Sequence, residues 1–415
     1  SAVRGEDLEK MGARDIKDYM MLVPGLTMDE SNRGDAGGRR LTIRGVGPSA
    51  VDGNQTVGQF IGDIPLTDPV GNRMTPDLDP FDLKTVEVLK GPQGTTFGAT
   101  ALNGALRYVP NPAELQRWEA RGFADFSQVK YGSPNHSFAA ALNAPVGETL
   151  ALRAAGIVQD SGGLYDNRQR NRPDSDSAGK WSGRGMLHWA PLEPLAVDLM
   201  VLKQHRSADD LLTGDEANSF SNNYKPGPSN LATDFSLASI DARYSLQDWG
   251  SLVWQSSLQS KHVDIDADGS LQLYGQYGLA PLRGYTQTDV DGRTHELRWV
   301  SAEGERWSWI VGAFMQNYRL TYGTGNYVTS TSQLGVITAL LPILNTALTP
   351  DAFRSRRITI LGSTLERLDA EARPISGELS RRIGEHWELT LGDRRYQTSI
   401  VSDAGSNGAG TITSA

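Results

Sequence analysis

The chain has 415 residues, 38% of them hydrophobic, with no cysteine and a net charge of −9. The absent cysteines exclude disulfides, thiolate metal sites and cysteine nucleophiles, and the scattered acids exclude a nucleic-acid surface. The mean hydropathy is −0.40, and the most apolar stretch, Ile337 to Ala347, is interrupted by Pro342 and Asn345. That is short of the eighteen or so residues of a membrane-spanning helix, so the chain is either soluble or a membrane β-barrel.

The first stretch predicts two short helices, Glu6 to Met11 and Asp15 to Leu22. In the second, Ile16, Tyr19 and Met20 share one face, and Pro24-Gly25 stops it. Extended segments follow at Leu41 to Arg44, Gln59 to Asp63, Thr85 to Leu89 and Ala105 to Val109, with Gly- and Pro-rich turns between them. This mixed α/β block ends near Asn111-Pro112.

From Trp118 the pattern changes to segments of about ten residues that alternate apolar and polar side chains, as half-buried strands do. In one, Leu150, Leu152, Ala154, Gly156 and Val158 oppose Ala151, Arg153, Ala155, Ile157 and Gln159. Eleven such strands are expected, beginning near Trp118, Ser137, Leu150, Trp181, Leu195, Phe235, Ser251, Thr294, Trp307, Glu371 and Trp387. Their connections alternate in length. Tight turns lie at Pro145 to Glu148, Pro191 to Pro194, Gln247 to Trp249, Glu303 to Glu305 and Gly384 to His386. Longer loops lie between them, at Asp160 to Gly179, Ser207 to Thr233, Asp264 to Thr288 and Thr321 to Leu368. Short turns at one end and long loops at the other are the habit of outer-membrane barrels. Trp189, Trp249, Trp307 and Trp387 lie beside short turns and Trp181 follows a long loop, as in interfacial girdles. Eleven strands leave open edges that hydrocarbon does not tolerate. The expectation is therefore that both ends are truncations and that the rest of the barrel lies beyond Ala415.

The α/β block carries a family resemblance. Arg40-Leu41-Thr42-Ile43-Arg44-Gly45, Phe60 to Leu66, and above all Val86-Glu87-Val88-Leu89-Lys90-Gly91-Pro92-Gln93-Gly94-Thr95-Thr96-Phe97-Gly98 resemble the plug motifs of TonB-dependent outer-membrane receptors. Val23-Pro24-Gly25-Leu26 is similar to a further plug motif. His295 to Trp299 and Gly377 to Ser380 resemble strands of the family's barrel more loosely. Two departures are local: Gly62 and Asp63 stand in reversed order, and Asn103 replaces a Gly, a position Asn fills because it tolerates left-handed backbone.

The resemblance implies a membrane all-β protein: a small α/β plug, residues 1–113, inside a 22-stranded antiparallel transmembrane barrel whose N-terminal half is residues 114–415. It implies an outer-membrane receptor of a Gram-negative bacterium that imports a scarce ligand with energy from TonB. A ferric siderophore is the commonest cargo, with vitamin B12, haem and oligosaccharides as alternatives. TonB would pair with a Ton box upstream of Ser1, and outer-membrane lipid would surround the barrel. Gly45, Gly91, Pro92, Gly94 and Gly98 are the plug-motif residues, and Phe97, Gln55, Asn72 and Arg73 are the candidates to face the ligand. The alternatives are a passive porin or peptide-fed channel with a static plug, and a soluble β-rich adhesin.

The charged residues suggest a further contact. Arg44 and Glu87 sit inside apolar plug strands, while Glu296 and Glu378 take the lumenal parity of theirs. Buried charges need partners, so a plug–barrel network of Arg44, Glu87, Glu296 and Glu378 is expected; four unrelated lumenal charges facing water are the alternative. Asp264, Asp266 and Asp268 resemble the opening of a calcium loop, but Gly275 stands where the bidentate Glu belongs. An acidic external loop is the favoured reading over a weak calcium site. Gly45-Val46-Gly47 opens a formal dinucleotide fingerprint that Pro48, Gly53 and Asn54 deny a helix. No His pair or nucleophile elbow supports catalysis or a metal, and no cofactor is expected. Asp393 fits poorly, since it shares the lipid face with Trp387, Leu389 and Leu391.

Overall fold

The computed structural model describes residues 1–29, 40–47, 55–69, 75–93, 101–210, 221–222, 227–268, 282–302, 307–328, 359–383 and 387–411. Strand β1 (Ala2–Arg4) leads into helix α1 (Gly5–Lys10), which has acids in its first turn and Lys10 in its last, both matched to the helix dipole. Helix α2 (Ile16–Met20) starts at Asp15, whose carboxylate accepts the Lys17 N–H at 2.7 Å, and Asp18 completes a capping box. Strands β2 (Leu26–Asp29) and β3 (Arg40–Ile43) then pair with each other.

Strands β4 (Val57–Ile61), β5 (Ile64–Pro65), β6 (Leu83–Lys90) and β7 (Gly104–Pro110) join β1 in a five-stranded sheet of order β1-β6-β7-β4-β5. Only β4 and β7 run parallel. Leu8, Ile16 and Tyr19 of the helices are buried with Ile43, Ile61, Val86, Leu106 and Tyr108 of the strands. This unit is the plug.

The remainder is one antiparallel sheet. Its strands are β8 (Glu119–Gln128), β9 (Pro134–Val146), β10 (Leu150–Ser161), β12 (Ala178–Leu192), β13 (Leu195–Ala208), β15 (Asn230–Ser245), β16 (Ser251–Asp268), β17 (Leu282–Val300) and β18 (Trp307–Val328), followed by β19 (Thr359–Ala372), β20 (Ile375–Ile383), β21 (Trp387–Arg395) and β22 (Thr398–Thr411). The short strands β11 (Asp166–Asn167) and β14 (Ser221–Asn222) pair with each other and link two long loops. Strand β18 pairs with β19 and then with β20 in one unbroken register, Gln316 opposite Ala372 and Ala313 opposite Ile375. The two segments are therefore one strand, interrupted at Arg373-Pro374 where proline has no N–H to give. Strands β21 and β22 are collinear in the same way across residues 396–397. The thirteen segments thus make eleven continuous strands.

The strand starts agree with the alternation except on the long-loop side. The eighth strand begins at Leu282 rather than Thr294, and the tenth at Thr359 rather than Glu371. Much of the expected loops 264–288 and 321–368 is therefore strand. The backbone ladder continues beyond the nine to eleven or so residues that a tilted membrane strand needs, and past that length the outward side chains no longer need to be apolar. Turns 147–149 and 193–194 are short and the loops at the opposite end are long, except for the short connection 129–133.

Alternation divides the two faces. Ala151, Arg153, Ile157 and Gln159 are buried against the plug, whereas Leu152 and Val158 face outward. Trp189, Trp249, Trp307 and Trp387 are exposed on the short-turn side, as a girdle requires. Asp393 is exposed on the same face as Leu389 and Leu391. Its pairing with Gly377 is unshifted, so no bulge turns it away, and β21 ends two residues later.

Candidate functional site

The plug meets the inner wall along a run of ion pairs. Residues 75–82 read Thr-Pro-Asp-Leu-Asp-Pro-Phe-Asp. Pro76 and Pro80 keep this segment extended and out of any helix, so its three acids are presented one after another. Asp77 pairs with Arg206 on β13 at 3.0 Å, and its backbone carbonyl accepts Gln204 Nε2 at 2.9 Å. Asp79 pairs with Lys180 on β12 at 2.6 Å. Asp82, fully buried, gathers three guanidinium groups: Arg153 of β10 at 2.9 Å, Arg184 of β12 at 3.3 Å, and Arg121 of β8. Arg153 also reaches Glu119 at 3.0 Å and Arg121 reaches Glu9 at 3.1 Å. The acids descend from the long-loop side of β13 toward the short-turn end of β8, and inward-facing bases on four of these five successive strands, β13, β12, β10 and β8, meet them. Burial alone raises the pKa of Asp82; the hydrogen bonds from Arg153 and Arg121 and the charge of Arg184 more than reverse this and hold it at about 2.

A second contact lies across the plug. The Lys261 ammonium of β16, 2% exposed, donates to the Asp68 carboxylate and to the Leu66 carbonyl. Gln259 Nε2 donates to the Pro65 carbonyl at 3.2 Å. A third contact begins at Asp63, in the turn of the β4–β5 hairpin. Asp63 binds Arg107 at 2.9 Å and Arg298 of β17 at 2.8 Å. Arg107 continues to Glu87 at 3.1 Å, and Arg298 lies 3.9 Å from Glu296. Burial of Asp63 is outweighed by Arg298 and Arg107, which lower its pKa.

The structure thus brings Glu87 and Glu296 into one chain of charges, through three residues that sequence reasoning did not assign to it. Arg44 and Glu378 stand outside it. Strand β3 ends at Ile43, so Arg44 adopts a left-handed turn (φ 56°) and its side chain is exposed rather than held in a strand. Glu378 takes the inward parity but meets no cation among the described residues. Asp63→Ala is therefore expected to cost roughly 1–3 kcal/mol of plug stability by removing the carboxylate that Arg107 and Arg298 share, the one link between plug and wall in this chain of charges. Glu378→Gln is expected to stay within about 0.5 kcal/mol. Denaturant-induced release of the plug measures both.

Other expected site residues are placed as follows. Gly45 and Gly91 have φ of 77° and 98°, which explains why glycine is needed in the motif at those points. Pro92 follows directly in the turn after β6. Gly94, Phe97, Gly98, Asn72 and Arg73 lie outside the described residues. Gln55 is 2% exposed, so it is buried and not open to a ligand. Asn103 is not left-handed: its amide donates to the Ile43 and Val46 carbonyls at 2.6 and 3.0 Å and ties down the turn after β3, while Gly104 takes the unusual φ. Asp264, Asp266 and Asp268 lie in strand β16, not in a loop. Asp266 pairs with Arg283 at 2.7 Å and Asp268 accepts the Gly227 N–H at 2.6 Å, so a calcium loop is not formed there. Among the described residues no group of His, Asp or Glu is arranged to hold a metal ion.

The interface is not wholly polar. Met200, Leu202, Phe235, Leu237, Val263 and Ile265 of the wall share one apolar cluster with the plug core. Phe81 packs edge-on to Phe123 at 5.6 Å between ring centres. The outer loops are also clasped together: buried Asp210 accepts Arg170 at 2.6 Å and the Ser229 N–H at 3.0 Å.

An antiparallel sheet with an aromatic-ringed outer face, sorted turns and an α/β plug docked on its inner face has the architecture of a plugged transmembrane β-barrel. Residues 1–105 match the TonB-dependent Receptor Plug Domain. That match places the first quarter of the chain in the plug-domain family of TonB-dependent receptors. It is 25% identical over 205 residues to a hemin receptor of Yersinia pestis, a match covering 48% of this chain and 28% of that protein. The ferric yersiniabactin uptake receptor FyuA of Yersinia pestis superposes with a TM-score of 0.73 at 16% identity, over 97% of this chain and 60% of that one. The ferric preacinetobactin receptor BauA of Acinetobacter baumannii gives 0.62 at 14% identity, over 98% and 60%. At these identities the solved structures establish the fold.

Proposed function

We propose that the chain is the plug, residues 1–113, and part of the wall, residues 114–415, of a receptor in the outer membrane of a Gram-negative bacterium. The receptor binds an iron complex from outside and imports it when TonB, engaging a Ton box, draws the plug off the wall. The observation that carries this reading is the acid-on-base seam from Asp77 to Asp82. Water can take over ion pairs once a plug shifts, so a charged seam suits a contact that must open and close. The apolar patch around Phe235 would resist rewetting and suits the part of the contact that opens last.

The cargo is proposed to be a ferric siderophore or haem. The structural relatives named above are a ferric yersiniabactin uptake receptor and a ferric preacinetobactin receptor, and the curated relative is a hemin receptor. Deleting the gene should abolish uptake of radioiron supplied as one of these two forms and leave the other unchanged. Unchanged uptake of both would reject the iron reading.

A further inference from the structure

On β10, β12 and β13 four cations face the plug: Arg153, Lys180, Arg184 and Arg206. The one inward acid on these three strands, Asp198, lies below them on the short-turn side and is held by His188 at 2.7 Å. Strand register sets the cations at three levels. Lys180 and Arg206 are cross-strand partners near the long loops. Arg184 lies four residues further down β12, about 13 Å along the strand, and Arg153 of β10 is one inward position lower.

What neutralises this ladder belongs almost wholly to the plug. Asp77, Asp79 and Asp82 meet all four cations, and Glu119 on Arg153 is the one wall acid among the described residues that joins them. Even so, Arg184 Nε is a buried donor with no hydrogen-bond acceptor among the described residues. At the upper end of the ladder a crevice of about 290 Å³ lies between the start of α2 and the wall, lined by Arg14, Lys17, Lys180 and Arg206. Its two acids are engaged by the helix backbone: Asp15 accepts the Lys17 N–H at 2.7 Å and Asp18 the Arg14 N–H at 2.6 Å.

We infer that the imported complex carries several oxyanion groups, carboxylates above all, and descends the β10–β13 sector by taking the places of Asp77, Asp79 and Asp82 on these cations. The inference rests on the proposal that the plug shifts off the wall. Once the acidic segment moves, four cations on a poorly hydrated strip lose their partners, and a buried charge is tolerated only when paired. A neutral or cationic complex offers no replacement, whereas each carboxylate that enters restores a charge-assisted pair. The neighbouring sector is unsuited to such a cargo, because Phe235, Val263 and Ile265 present it with an apolar surface.

The test uses the complete receptor, purified in detergent at low salt, and iron-free tricarballylate as a tricarboxylate probe. Asp77→Asn, Asp79→Asn and Asp82→Asn together bare the cations, and calorimetry should show tricarballylate bound about tenfold more tightly than by the unaltered receptor. Adding Arg153→Gln and Arg184→Gln should remove that gain. Binding no tighter than in the unaltered receptor, or a gain that survives the two glutamines, would overturn the inference. A second variant keeps the plug seated. Asp79→Leu with Lys180→Met removes one rung but replaces a buried pair by apolar groups, a change often nearly neutral for stability. Hydrogen-exchange protection of residues 75–93 should hold while radioiron uptake falls about tenfold. Uptake at the unaltered rate with protection intact would contradict the ladder. Failure of the receptor reading looks different: the unaltered receptor would then take up neither iron complex.

Discussion

Asp82→Ala is expected to free the plug segment 75–93 from the wall. Asp82 is fully buried, and the side chains of Arg153 and Arg184 are only 3% and 7% exposed. Removing the one carboxylate they share leaves like charges facing each other in a poorly hydrated site. Stranding a buried ion costs roughly 3–5 kcal/mol, so hydrogen-exchange protection across the segment should fall by about two to three orders of magnitude. Asp82 also has a left-handed backbone, φ 59°, which alanine resists and asparagine tolerates. Asp82→Asn therefore isolates the charge, and most of the loss should remain. Unchanged protection in the asparagine variant would show that the guanidinium groups are hydrated and the seam is weak.

The same carboxylate predicts an acid transition. Its pKa is depressed in the folded protein to about 2, against about 3.9 in an unfolded chain. Its contribution is thus complete above about pH 4 and is lost as the pH falls toward 2, amounting to about 2.6 kcal/mol. Protection of residues 75–93 should be flat between about pH 7 and 5 and decline between about 4 and 2.

Lys261→Ala is expected to have an effect of similar size on the opposite side of the plug. The side chains of Lys261 and Asp68 are each 1% exposed. The single variant takes the buried Lys261 ammonium away from the Asp68 carboxylate, at a cost of roughly 3–5 kcal/mol. Lys261→Met combined with Asp68→Leu removes both charges and should recover most of that loss, because a buried pair replaced by apolar groups is often nearly neutral. Protease cleavage within residues 64–69 reads the local stability. If the double variant is as weak as the single one, the pair is not what holds this loop.

How much the sequence shows depends on which side of the sheet is considered. The outward face must be apolar to meet lipid, so Leu150 to Gln159 announces its strand and its parity without help. The inner wall has no such rule. Arg153, Arg184 and Arg206 face inward as Phe235 and Val263 do, and nothing local says which of them meets a partner. The seam joins residues far apart in the chain: Asp82 is 71 residues from Arg153 and 102 from Arg184. Only the register of four strands brings them together. A signal was present, since Asp77, Asp79 and Asp82 are three acids in a proline-punctuated stretch that no element claimed. Arg44 misled because the strand was read one residue too long, which put a turn residue into a ladder. The acids of β16 misled because polar alternation outside the membrane looks like a loop.

The central claim is that the plug must separate from the wall for import. Arg14 of the plug and Asp125 of β8 are in contact, and their side chains are 37% and 43% exposed. Replacing both with cysteine should cost little, about 1 kcal/mol or less, as for an exposed ion pair, and should leave uptake of the iron complex intact. Bridging the two thiols with a short cleavable cross-linker should then stop radioiron uptake while surface binding of the complex persists, and cleaving the linker should restore it. Uptake that continues at the unlinked rate with the bridge in place would contradict the account.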